Sequence, residues 1–248
     1  MTDPNQKPGP SGLLVIDKPY GRTSTGVCTL VKARLRAGGA PKRVKVGHGG
    51  TLDPLATGVL VILVGKATKL CASVMAGEKG YRAEVDLGVT SPTDDLESEA
   101  VPTPGAAPVS REAIERALGL FVGTIQQRPP AHSAVKIGGK RAYHLARAGD
   151  GPEPEARTVE IHKITIAAYD WPRLTLDIRC GKGVYIRSLA RDLGAALGVG
   201  GMLGGLRRTQ VGRFGIEQSM PLDALPDPLR QDDLLITPEV ERVLKPQG

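Results

Sequence analysis

The chain has 248 residues, which suits one or two domains with a sizeable core. Hydrophobic residues make up 40% of it, and no tripeptide period runs through its 32 glycines and 20 prolines, which excludes wholesale disorder and a collagen-like fibre. A formal net charge of +7 indicates an anionic partner. The longest strongly apolar run, Val59 to Val64, is far shorter than the ~20 residues of a spanning helix, so we expect no membrane partner.

Cysteine and histidine are sparse and scattered. Three cysteines without a CxxC pair argue against a disulfide scaffold and favour a reducing cytosol, so we expect a cytoplasmic protein. Four widely separated histidines predict no metal site. The basic residues cluster in 32–45, 128–147 and 207–213, each with Gly or Pro, and basic loops of this kind favour a nucleic acid as the partner.

The predicted elements alternate between helix and strand. In chain order they are a strand over 13–16, a helix capped within 23–25 that ends near 38, a strand over 59–64, a helix over 66–75, a strand over 81–89, a helix capped by Ser110, strands over 159–166 and 174–180, a helix opened by 181–183, a strand over 206–211 and a helix over 237–244. One slip in the alternation of 159–166 indicates a bulge. Hairpin-like pairs dominate, which predicts an α+β fold with a mixed, mostly antiparallel central sheet and flanking helices.

Three segments lack such a period. Residues 1–11 are polar with three prolines, and we expect a disordered tail there. Residues 124–154 carry five Lys or Arg and two histidines, which is typical either of a solvated charged loop or of a long RNA-binding loop. A glycine-rich connection is expected over 198–205.

Two nucleotide-binding fingerprints fail. GKAT at 65–68 resembles the end of a phosphate-binding loop, but Leu60 stands where that motif needs glycine. Gly198 and Gly200 begin a dinucleotide fingerprint that Leu203 breaks. We therefore expect no cofactor.

The sharpest local signal is GHGGTLDPLATG at 47–58. Asp53 before a proline is typical of a structural turn. The surrounding glycines would let a ligand approach the backbone, and a buried strand that follows is a rigid mount for a reactive carboxylate.

A second set of residues also has one structural and one functional interpretation. Arg187 and Tyr185 are either a surface arginine and a half-buried tyrosine, or part of a pocket in which Arg187 pairs with a carboxylate. Tyr81 is either a core ring or a stacking platform for a base.

Taken together, six segments resemble one family, the bacterial tRNA pseudouridine synthases that act on uridine 55 of the T loop. They lie in order from about Gly12 to Phe214 and read LLVIDKP, GHGGTLDPLATGVL, GYRAEVDLGVTSPTDD, QRPPAHSAVKIGGKRAYHLAR, CGKGVYIRSLARDLG and LRRTQVGRF. The resemblance implies the pseudouridine synthase fold and a catalytic domain over 12–220, with 124–154 as a basic thumb-like loop. Residues 221–248 are expected to form a C-terminal tail without a full PUA domain.

The resemblance also implies roles for individual residues. Asp53 matches the catalytic aspartate and Arg187 the arginine that pairs with it; the substrate-binding positions are Tyr81, which stacks on the target base, Tyr185, His48, Lys18 and Leu206. Asp95 occupies a pocket position where the chain departs from the family's TDTxDxxG pattern, and Lys136 and Arg141 lie in the thumb.

The implied reaction is an isomerisation of uridine, by an enzyme that acts on a flipped base in the T stem-loop of tRNA without a cofactor. Sequence leaves open whether Asp53 attacks C6, attacks C1′ or acts as a base. The alternative is a non-catalytic RNA-binding or tRNA-folding protein on the same scaffold. A carboxylate glycosidase is a third interpretation, which lacks a second acid near Asp53. We expect a monomer.

Overall fold

The computed structural model describes residues 9–131 and 154–245, together with the backbone of 136–137 and 140–141. The described residues form two compact units. The first unit joins the chain up to Gly77 with the chain from Arg208 onward, and the second unit comprises Glu78–Arg207.

The elements are numbered in chain order. The strands are β1 (Gly12–Lys18), β2 (Val46–His48), β3 (Thr57–Val64), β4 (Lys79–Leu87), β5 (Val89–Thr90), β6 (Val101–Pro102), β7 (Gly123–Gln127), β8 (Lys136–Ile137), β9 (Lys140–Arg141), β10 (Arg157–Asp170), β11 (Arg173–Cys180), β12 (Gly201–Val211), β13 (Phe214–Gly215) and β14 (Met220–Pro221). The helices are α1 (Ser24–Ala37), α2 (Cys71–Ala76), α3 (Arg111–Gly119), α4 (Ile186–Ala196) and α5 (Pro238–Leu244).

In the first unit, β3 is the central strand. It pairs antiparallel with β1, from Gly58 opposite Lys18 to Val64 opposite Gly12, and with β2. β14 adds to β1 in parallel. Alternate residues of β3 face two apolar clusters, one of which contains α1, so the whole run of 59–64 is buried. Burial of both faces explains why this strand is a continuous apolar run.

In the second unit, β4, β11, β10 and β7 form consecutive antiparallel pairs. Their apolar residues pack with α3 and α4 in one cluster. The pairing of β10 with β11 shifts register twice, between Ile161 and Lys163 and between Ile166 and Ala168, which confirms the predicted bulge. The predicted α+β class with mostly antiparallel strands is confirmed.

The helix caps agree with the sequence. Thr23 caps α1 by accepting from the amide of Gly26, and Ser110 caps α3 by accepting from that of Ala113. The predicted helix over 66–75 is a 3-10 turn (Gly65–Leu70) followed by α2. The helix that 181–183 was expected to open begins at Ile186, because Gly183 has a φ of 86° and continues the turn.

The predicted glycine-rich connection is wrong in its second half, because β12 starts at Gly201. A Cβ on Gly201 would lie 2.7 Å from the Ala190 carbonyl oxygen, and one on Gly204 would lie 2.2 Å from Asp86 Oδ2. These glycines sit in a strand because neighbouring groups occupy the side-chain position.

The loop expected over 124–154 begins with a strand instead. Residues 124–127 belong to β7, and the Gln127 side chain is buried against the backbone of Tyr185. The backbones of Lys136 and Arg141 are paired in a short hairpin of β8 and β9. Their side chains and the rest of the expected thumb lie outside the described residues.

Both ends of the described chain pack on the first unit. Of the tail expected over 1–11, Ser11 is buried and donates its amide to Gln231 Oε1 at 2.8 Å. In the segment expected as a C-terminal tail, Leu222, Leu229 and Val240 are buried in the apolar clusters of this unit.

Candidate active site

The loop that carries Asp53 joins β2 to β3. Gly50 and Gly58 hold its two ends at φ of 126° and 100°, conformations that favour glycine. Ser24 of α1 fixes the middle, since its hydroxyl accepts from the Leu52 amide at 2.8 Å and donates to the Leu52 carbonyl at 2.9 Å. Leu52 is buried and Asp53 is half-buried. The loop is therefore rigid on both sides of a carboxylate that stays partly open to solvent.

Two buried cations bind the carbonyls of this loop. Lys18, at the end of β1, donates to the Pro19, Arg22 and Pro54 carbonyls at 2.9, 2.7 and 3.2 Å. Arg208, in β12, donates to the Gly50, Thr51 and Val59 carbonyls, and its residue is 2% exposed. Burial lowers the pKa of Lys18 to about 8; the Asp53 carboxylate opposes that change and the Arg208 guanidinium adds to it.

His48 ends β2 and lines a cleft of about 640 Å³. Its pKa is lowered, first by burial and then by the charge of Arg208, so the imidazole is neutral at pH 7. Among the described residues, its buried Nδ1 has no hydrogen-bond partner. The same cleft is lined by three cationic side chains, which belong to Lys32, Arg43 and Lys45.

In the second unit, Arg187 is the second residue of α4 and is buried. It forms an ion pair with Asp95, with 3.4 Å between Nη1 and Oδ2, and donates to the Thr93 carbonyl at 3.3 Å. Asp95 also accepts from the Thr93 hydroxyl at 2.7 Å and from the Glu97 amide at 2.9 Å. Within this unit, the partner described for Arg187 is thus Asp95, whose position departs from the family's pattern.

Two other predicted residues of this unit, Tyr81 and Leu206, pack against its apolar cluster. Tyr81 lies on β4 opposite Ile178 of β11 and is half-buried, as is Leu206. Tyr185 precedes α4, and the Arg157 guanidinium lies 5.3 Å from the centre of its ring.

The structure distributes the predicted site residues over both units. Lys18, His48 and Asp53 belong to the first, and Tyr81, Asp95, Tyr185, Arg187 and Leu206 belong to the second. Sequence reasoning missed Arg208 as a part of the Asp53 loop. Arg208 lies in the basic cluster 207–213 and in the segment LRRTQVGRF, but neither signal distinguishes a buried arginine from an exposed one.

The described ranges contain no group of three or more His, Cys, Asp or Glu side chains that could hold a metal ion. No helix within the same ranges is long and apolar enough to cross a bilayer.

Comparison with known proteins identifies the class. Residues 39–186 match the model of the TruB family pseudouridylate synthase N-terminal domain, and residues 187–247 match that of the tRNA pseudouridylate synthase B C-terminal domain. The chain is therefore a pseudouridine synthase. It belongs to the TruB family.

Two curated relatives support this assignment. The chain is 46% identical over 231 residues to tRNA pseudouridine synthase B of Corynebacterium aurimucosum, covering 92% of this chain and 75% of that protein. It is 42% identical over 222 residues to the same-named protein of Phocaeicola vulgatus, covering 90% and 94%.

Solved structures show the same fold. A Cbf5-Nop10-Gar1 complex contains a chain that matches with a TM-score of 0.67 and 29% identity, covering 91% of this chain and 59% of that one. An H/ACA RNP bound to a substrate RNA containing 2′-deoxyuridine matches with a TM-score of 0.63 and 28% identity, covering 86% and 52%. The chain thus spans between half and three fifths of the length of these structural relatives.

Proposed function

We propose that this enzyme isomerises uridine 55 in the T loop of tRNA to pseudouridine, with Asp53 as the catalytic carboxylate. The names of its relatives support a tRNA substrate, and the choice of uridine 55 in the T loop rests on the resemblance of the sequence motifs to the family. The observation that carries the assignment of Asp53 is its loop, in which Lys18 and Arg208 bind the flanking carbonyls while the carboxylate stays partly exposed. A fixed, partly open carboxylate is what a covalent or proton-transfer step at a sugar requires.

The reaction balances without an external redox partner. The N1–C1′ bond breaks, the uracil turns and a C5–C1′ bond forms; the proton lost from C5 is matched by one gained at N1. Addition of Asp53 to C6, its attack at C1′, and proton removal by it as a base all require the carboxylate in its ionised form.

The remaining roles in this proposal rest on the family resemblance. It gives Tyr81 the role of stacking on the target base, Arg187 that of pairing with the catalytic aspartate, and Tyr185 a position nearby in the pocket. The half-buried state of both tyrosines is compatible with a ring that offers one face to a base.

The cleft beside His48 supports an RNA substrate. Its cationic residues, Lys32, Arg43 and Lys45, lie on α1 and on the approach to β2, in the unit that carries Asp53. Cationic side chains on a concave surface bind phosphates by releasing counterions.

The test is tritium release from a T stem-loop RNA labelled at C5 of uridine 55. We expect Asp53→Asn to bind the RNA as the unaltered protein does and to release no tritium, because the amide preserves shape and removes the charge. Asp232→Asn, an exposed residue of the same unit, is the control and should retain full activity. Full activity of Asp53→Asn would refute its role, and accumulation of free uracil would show a glycosidase instead.

A further inference from the structure

The Arg208 side chain connects the two ends of the Asp53 loop. Its Nε donates to the Val59 carbonyl at 2.8 Å, on β3 beyond the loop. Its two terminal nitrogens donate to the Gly50 carbonyl at 3.0 Å and the Thr51 carbonyl at 3.3 Å, before Asp53. One planar guanidinium thus fixes the distance between the entry and the exit of the loop.

Lys18 binds the loop on the other side of Asp53 in the chain. Its ammonium reaches the carbonyl of Pro54, the residue that follows Asp53, and the Gly21 amide donates to the same oxygen at 2.9 Å. The carbonyls on both sides of the carboxylate therefore have cationic donors. Asp53 thus lies in the chain between carbonyls that are bound on both sides.

We propose that Arg208 is a positioning residue that sets the orientation of the Asp53 carboxylate by holding the carbonyls of residues 50, 51 and 59. The proposal rests on the function proposed above for Asp53.

The chemistry of the side chain explains why an arginine is needed. A guanidinium offers five donors in a fixed plane, so one group can bind three carbonyls at once. A lysine ammonium at this position is a point charge and cannot reach all three in the same geometry. Burying a cation against uncharged carbonyls is costly, so a purely structural link would be served by apolar packing.

The backbone of β3 is fitted to this arginine. A Cβ on Gly58 would lie 2.1 Å from the backbone oxygen of Arg208, and Gly58 has a φ of 100°. The strand and the arginine thus approach more closely than any side chain at position 58 allows. A displacement of Arg208 is therefore transmitted directly to the residues that flank Asp53.

The test compares Arg208→Lys and Arg208→Met with Arg230→Met, which alters an exposed arginine of the same unit that lies outside the three basic clusters. Turnover of the T stem-loop RNA gives kcat and KM. Hydrogen exchange of the peptide over 49–57 reports the order of the loop without requiring activity, and thermal unfolding reports the fold.

We expect Arg208→Lys to unfold cooperatively, to lose about 10- to 100-fold in kcat with KM within about twofold, and to exchange faster over 49–57. Arg208→Met should have a still lower kcat, and Arg230→Met should match the unaltered protein. Unchanged kcat and exchange in Arg208→Lys would overturn the proposal. Failure of Arg208→Lys to fold would also overturn it, since the arginine would then act through the stability of the unit.

The two proposals can fail separately. If the unaltered protein makes no pseudouridine, the proposed function fails, whereas the exchange of the loop still tests Arg208. If the unaltered protein is active and Arg208→Lys equals it, the positioning role alone fails.

Discussion

Arg187 and Asp95 form an ion pair inside the second unit, with both side chains less than a tenth exposed. Asp95 also receives hydrogen bonds from Thr93 and Glu97, and these bonds fix the orientation of its carboxylate toward the arginine. Burial of either charge alone is unfavourable, so the stability of a buried pair depends on the two groups lying in good geometry.

Removal of one partner should therefore be costly. We expect Asp95→Ala to lower the free energy of unfolding by about 3–5 kcal/mol, because it leaves a buried guanidinium without this counter-charge. Urea denaturation monitored by circular dichroism measures the change. The control is Asp177→Ala, which breaks the exposed pair with Arg82 at 2.9 Å and should cost less than about 1 kcal/mol. Equal costs for the two variants would contradict the structural role of the buried pair.

The cleft beside His48 predicts a salt effect on RNA binding. We expect a variant with glutamine at positions 32, 43 and 45 to reduce the slope of log K against log salt by about 0.7–0.9 for each phosphate that the variant no longer binds. Fluorescence anisotropy of a labelled T stem-loop at several salt concentrations measures it. The matched single variants are Arg43→Gln and Lys42→Gln, since Lys42 is an exposed neighbour that does not line the cleft. Identical slopes for these two would mean that net charge alone binds the RNA.

The lowered pKa of Lys18 predicts a pH dependence of stability. The unfolded chain keeps this proton up to pH 10.5, whereas the folded protein releases it near pH 8, because burial outweighs the attraction of Asp53 and Arg208 adds repulsion. Between these values the unfolded state binds more protons, so the free energy of unfolding rises with pH. We compare the free energy of unfolding of the unaltered protein with that of Lys18→Met. We expect the value for the unaltered protein to increase relative to the variant by up to about 3 kcal/mol from pH 7.5 to pH 10.5.

Chemical denaturation of both proteins across this range is the measurement. Groups that titrate in both, such as the cysteines, cancel in the difference. A difference that stays constant with pH would show that Lys18 keeps an ordinary pKa in the folded protein.

The three cysteines should differ in reactivity. Burial raises the pKa of Cys28 to about 11 and that of Cys180 to about 12, while Cys71 is half-buried and lines the His48 cleft. Since the thiolate is the nucleophile, we expect iodoacetamide at pH 8 to modify Cys71 first in the folded protein and all three in denaturant. Mass spectrometry of peptides gives the sites.

The same reaction tests whether RNA occupies the cleft. We expect a T stem-loop RNA to slow the alkylation of Cys71 at least fivefold, whereas an equal concentration of mononucleotide should not. Unchanged alkylation in saturating RNA would place the RNA elsewhere on the protein.

Local pattern was enough to predict most elements of this protein. The apolar run over 59–64, the alternation over 174–180, a helix cap within 23–25 and the cap at Ser110 each depend on interactions between residues close in sequence, so they can be predicted without a fold. The structure then showed that Thr23 is the cap of the first helix. The class of enzyme was predicted from the resemblance of six sequence segments to one family, which also requires no fold. The glycines of 201–205 and residues 124–127 were missed, because pairing with a distant strand overrides what their composition favours.

Tertiary structure alone decided what surrounds the candidate residues. Arg208 reaches carbonyls about 150 positions away in the chain, and Arg187 pairs with an aspartate 92 positions before it. Sequence determines only which charges exist; whether a charge is buried, and which oxygen it binds, depends on how strands far apart in the chain are brought into register. For that reason the residue types of the Asp53 loop could be identified from the sequence, while the cations that hold its backbone became visible only in the fold.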